Sequence, residues 1–129
     1  MPNTAYCSEW LDLAYKNIET AKLLIRENHF TDIIAIEIQQ ALEKTLKSVF
    51  ALHGISIPRT HNIVFLFQKA SQHFSFPDYN MDQLILISDY YEPERYPGPR
   101  YTIPGEEEVI QSLEFTEIIY LFIKEHIAT

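Results

Sequence analysis

Three glycines, one cysteine and no long apolar run are what this sequence is short of, and each shortage removes a class of function. A single thiol, Cys7, can form no internal disulfide, and no Cys/His grouping has zinc spacing. Cys7 therefore reads as a passive residue. The five histidines, His29, His53, His61, His73 and His126, are scattered without the helical pair spacing of a metal site, so no metal or other cofactor is expected. Three glycines leave no glycine-rich phosphate loop and no nucleophile elbow. The longest apolar runs, such as Ile118 to Ile123, are far too short to span a bilayer. Met1 to Leu13 lacks the basic region and apolar run of a secretory leader, so a cytoplasmic location is the default expectation. Positive charge is scarce as well: 10 Lys and Arg against 18 Asp and Glu give a net charge of -8. A generic nucleic-acid binder needs a basic face, so that class is disfavoured, although a small local cationic site is compatible with the total.

What is present is a chain of 129 residues, 47% hydrophobic and 22% charged, which suits one globular domain over residues 1–129. Five segments carry helical periodicity and none carries a convincing strand pattern. The first spans about Ser8 to Asn28, with Ser8 as N-cap and Trp10, Leu13, Ala14, Ile18, Ala21, Leu24 and Ile25 as its apolar stripe. The second spans about Thr31 to His53, ended by Gly54, and its apolar positions exceed one face, predicting burial on two sides. Shorter helices follow over about Asn62 to Gln72 and Met81 to Tyr91, the latter turning Leu84, Ile85 and Ser88 inward. Pro93, Pro97, Pro99 and Pro104 break regular structure, and a last helix starts near Gly105 with Glu106, Glu107 and Glu108 in its favourable first turn. The pattern predicts an all-α protein: an antiparallel up-and-down bundle of four main helices plus a short one. The surplus apolar surface hints at a homodimer.

Three polar groupings are candidates for chemistry. On the second helix, Gln40, Lys44 and Lys47 share one face beside Gln39 and Glu43, and Glu43 and Lys47 have ion-pair spacing. This strip is either a solvated helix face or a site for an anion or a partner's carboxylate. Arg59 and His61 precede a helix N-terminus, where they would suit a phosphate, unless Thr60 or His61 merely caps that helix. Arg95, Tyr96, Arg100 and Tyr101 lie in the proline-rich stretch, a stiff Arg/Tyr combination typical of recognition surfaces.

These groupings coincide with a known pattern. Ala35-Ile36-Glu37-Ile38-Gln39-Gln40-Ala41-Leu42-Glu43-Lys44-Thr45-Leu46-Lys47 resembles the signature of the HEPN family. Ala21 to Leu24 with His29 to Asp32 before it, Pro58-Arg59-Thr60-His61-Asn62-Ile63 after it, and Glu94-Arg95-Tyr96-Pro97 later resemble other family segments in the same order. The resemblance runs from about Leu11 to Ile127 and implies an up-and-down helical bundle, usually homodimeric. It also implies a minimal nucleotidyltransferase as partner in a toxin–antitoxin-like pair, and suggests nucleotide binding. Many family members are metal-independent ribonucleases with an Arg followed, after four to six residues, by a His. Here none of Arg26, Arg59, Arg95 and Arg100 has a His in that window. The sequence therefore favours a non-catalytic binding module for a partner, a nucleotide or phosphate. A divergent ribonuclease toxin and a purely structural oligomerisation module are the alternatives.

Overall fold

A computed structural model describes residues 3–91 and 102–127. They form five helices: α1 (Thr4–Arg26), α2 (Thr31–Leu52), α3 (Ile63–Ala70), α4 (Met81–Ser88) and α5 (Glu106–Ile127). Among the described residues there is no strand. The all-helical bundle expected from periodicity is thus present, but with three long and two short helices instead of four main ones and a short one: α4 stops at Ser88, beyond which Tyr90 N and Tyr91 N donate to Ile87 O and Ser88 O in tighter turns. Among the described residues no helix is long and apolar enough to cross a membrane.

Helix ends follow local chemistry. The side chain of Asn3, not Ser8, caps α1 by accepting from Tyr6 N at 3.0 Å, so the helix begins a turn earlier than Ser8 suggested. Nothing in Thr4–Ser8 opposes a helix, and a short amide ahead of it is the stronger cap. Asn28 takes a left-handed conformation (φ 54), and His29 N donates to Leu24 O at 2.8 Å, which closes α1 and turns the chain into α2. Gly54, at φ 67, allows the same kind of closure after α2, where Ile55 N donates to Phe50 O. Asn62 caps α3 through Phe65 N, rather than Thr60 or His61, while Thr60 Oγ1 accepts from Asn62 N.

The long helix α2 is the centre of the molecule. It packs against α1, α3, α4 and α5, and 14 of its 22 residues are buried, beyond the two buried sides the apolar pattern predicted. Ile34, Ile38, Leu42, Leu46 and Val49 meet Leu11, Ala14, Ile18 and Ala21 of α1 and Val109, Leu113, Ile119 and Ile123 of α5 in one core. Each fully buried Leu or Ile contributes roughly 1.5–3 kcal/mol. Two facings differ from expectation. Leu13 is 43% exposed, because Leu11 and Cys7 turn the buried face of α1 away from it. On α4, Ile87 is buried and Ile85 is exposed, because that short helix docks through Leu84 and Ile87.

The ends of α4 and α5 are tied together. Tyr90 donates its hydroxyl proton to Glu108 Oε2 at 2.7 Å and so accepts from Ser112 Oγ at 3.0 Å. Burial, reinforced by the adjacent carboxylate, pushes the Tyr90 phenol far above its ordinary value. Thr31 Oγ1 donates to Pro104 O at 2.7 Å, linking the start of α2 to the approach to α5.

Candidate functional site

The polar strip on α2 is not a solvated face. Gln39, Glu43 and Lys47 follow one another by one helical turn, and all three are buried. The Glu43 carboxylate is the hub. Its Oε2 accepts from Lys47 Nζ at 2.9 Å, and its Oε1 accepts from Gln39 Nε2 at 3.1 Å and from His61 Nδ1 at 2.9 Å. Gln39 Nε2 also donates to His61 O at 3.0 Å, fixing the backbone of the connector that carries the imidazole. Burial alone would raise the Glu43 carboxyl. The hydrogen bonds from Lys47, His61 and Gln39, with the charge of Lys47, outweigh burial and hold it below its ordinary value.

His61 is the outward-facing member of this cluster. Its side chain is 51% exposed, against 10% for Glu43. Its ring stacks on Tyr91, with centroids 4.2 Å apart and planes at 22°. A carboxylate only accepts, so the proton of the neutral imidazole sits on Nδ1 and Nε2 remains as the free acceptor. A carboxylate-fixed imidazole can accept a proton or hydrogen bond through Nε2, or become a cation when protonated.

The other candidates are distributed around this hub. Lys47 is turned inward, with its ammonium also 6.0 Å from the ring centroid of Trp10. Lys44 Nζ donates to Asn17 Oδ1 at 2.8 Å, and Asn17 Nδ2 donates to Glu37 Oε1 at 3.0 Å, so Lys44 serves the α1–α2 seam. Gln40 is half-buried on α2, and Arg59 is exposed in the connector two residues before His61. The structure thus joins Lys47 and His61 through Glu43, while the Lys44 ammonium has a separate partner. Arg95, Tyr96, Arg100 and Tyr101 lie outside the described residues. Gln39 and Glu43 belong to the polar strip that the sequence singles out on α2, although the binding role was expected of Gln40, Lys44 and Lys47; Tyr91 is the site member that the sequence did not nominate. The four-residue steps of Gln39, Glu43 and Lys47 were the available signal for the first two, and nothing in sequence spacing brings Tyr91 to His61. Among the described residues, no group of three or more His, Cys, Asp or Glu side chains is placed to hold a metal ion.

Known proteins share much of this chain. It is 28% identical over 141 aligned residues to a Methanocaldococcus jannaschii protein, MJ1304, provisionally named a toxin; the alignment covers 95% of this chain and 91% of that protein. Among solved structures, TT1696 from Thermus thermophilus superposes with a TM-score of 0.72 at 23% identity, covering 92% of this chain and 96% of that one. ST0689, an archaeal HEPN homologue, superposes with a TM-score of 0.69 at 20% identity, covering 94% and 97%. These two structures share the fold. The model of the HEPN domain matches residues 7–126, nearly the whole chain, and this protein therefore belongs to the HEPN domain family.

Proposed function

We propose that this chain is the helical member of a toxin–antitoxin-like pair, a homodimeric binding module that receives a minimal nucleotidyltransferase, a nucleotide or phosphate at the surface around His61. The observation that carries this reading is the partnering of the cations. Lys47 is held by Glu43 and Lys44 by Asn17, leaving the half-exposed His61 ring on Tyr91, with the exposed Arg59 two residues before it, as the presented recognition elements. An aromatic pair with one hydrogen-bonding edge suits a base, a phosphate or a partner side chain. The relative provisionally named a toxin supports placement in such a pair. Thermal melting with millimolar ATP, GTP and inorganic phosphate tests the ligand half. A rise in Tm that His61→Ala removes is expected, since a ligand of the folded state stabilises it by mass action. No shift with any of the three leaves only the partner half, which copurification with a coexpressed nucleotidyltransferase decides.

A divergent ribonuclease toxin is the second reading, favoured by one feature: a carboxylate-fixed imidazole at the surface is equipped for proton transfer. Cleavage of total RNA by the wild type that His61→Ala abolishes would replace the binding reading with this one.

A further inference from the structure

Two flanks of α1 face different surroundings. On one flank Tyr15 packs at a tilt against Tyr120 and Lys22 binds Glu117, both of α5. On the other, Tyr6, Glu9, Trp10, Leu13 and Lys16 recur at three- and four-residue steps and so lie along one strip. With Asp12 they line an open groove of about 470 Å³. Tyr6 is 41% exposed and Leu13 is 43% exposed, which is a large apolar presence for a strip of helix in water. Trp10 packs edge-on against Tyr6 at 6.5 Å and carries the Lys47 ammonium 6.0 Å from its ring centroid. The groove therefore abuts the Lys47–Glu43–His61 cluster.

We infer that this groove seats a second copy of the chain, α1 against α1, antiparallel, about a twofold axis passing near Leu13. The inference rests on the homodimer proposed above and assigns it a face. The argument is charge order. The exposed acid Glu9 precedes Leu13 and the exposed base Lys16 follows it, while Asp12 lies beside the axis and gains no opposite charge from the pairing. An antiparallel twofold pairing sets whatever precedes the axis in one copy against whatever follows it in the other. Each Glu9 then meets Lys16 of the partner subunit, and symmetry makes the contact twice. A parallel pairing in register would instead set acid against acid and base against base, which disfavours association. Two copies that each carry a net charge of -8 repel at long range, so self-association needs such local matching of opposite charges. Tyr6, Trp10 and Leu13 supply the apolar centre that the paired charges flank. Covering Trp10 also draws water away from the Lys47 side of the cluster, so this interface and the His61 site share one side chain.

Sedimentation equilibrium of the full chain over a wide concentration range tests the assignment, using the wild type, Glu9→Lys, Lys16→Glu and the double swap. Both positions are exposed, and circular dichroism verifies that helix content is unchanged. Each single reversal introduces two like-charge contacts into a symmetric interface and is expected to weaken association by about tenfold or more. The double swap restores the pairing and should return the dissociation constant to within about threefold of wild type. A dimer that neither reversal weakens, or one that both weaken and the swap fails to restore, overturns the α1 pairing while leaving the homodimer in place. A wild type that is monomeric throughout removes both.

Discussion

Lys47 and Lys22 both pair with glutamate, but in opposite surroundings. Lys47 and Glu43 are each 10% exposed, one turn apart on the central helix, with the carboxylate further bonded by Gln39 and His61. Lys22 is 41% exposed and meets Glu117 (32%) across α1 and α5 and Glu19 (46%) on its own helix. Water and salt screen the second pair, and its side chains can relax to other solvated positions. The first pair has no such recourse. Removing either partner strands a buried charge, so its importance lies in mutual dependence more than in net attraction.

The largest effect expected is therefore from Glu43→Ala, which leaves Lys47 buried without its counter-ion and should lower unfolding free energy by about 3–5 kcal/mol in urea titrations. The double substitution Glu43→Leu/Lys47→Met removes both charges and should lose clearly less; a loss equal to that of Glu43→Ala would mean that packing rather than stranded charge sets the penalty. A smaller effect is expected from acid. The Glu43 carboxyl lies below its unfolded value of about 4.3. Its contribution is complete above that pH and drains away as pH falls through the lower folded value. The wild type should thus lose more stability than Glu43→Gln between about pH 5 and pH 3, and parallel curves would contradict this. The smallest effect belongs to Lys22→Ala, expected within about 1 kcal/mol of wild type and weaker still in high salt. A loss as large as that of Glu43→Ala would erase the contrast between the two pairs.

The Glu43–Lys47 spacing was plain in the sequence, and so was the central helix that carries it. What could not be read was burial. The strip is enclosed because Trp10 comes over from α1 and the connector bearing His61 folds back onto Gln39, and both are contacts between segments far apart in the chain. The same limit explains the shifts along α1. Alternative registers of its apolar residues fit a helix equally well, and only packing against α2 selects Leu11 over Leu13. Asn62 and Asn80 show the reverse case, where a short amide beside an apolar run fixes a helix start by purely local bonding. The pairing of His61 with Tyr91 joins two connectors 30 positions apart and had no local trace.

The tight turn at Asn28 bears on how the chain reaches this structure. It joins the two helices that share the most extensive packing in the molecule, and only a few residues separate them. Closing so short a loop requires little sacrifice of chain entropy, and contacts between sequence neighbours form faster than remote ones. The α1–α2 hairpin thus has the topology of a folding nucleus. The terminal helix, whose partners lie far back in the chain, would then be recruited onto a scaffold in which the seam of Asn17, Lys44 and Glu37 has already formed.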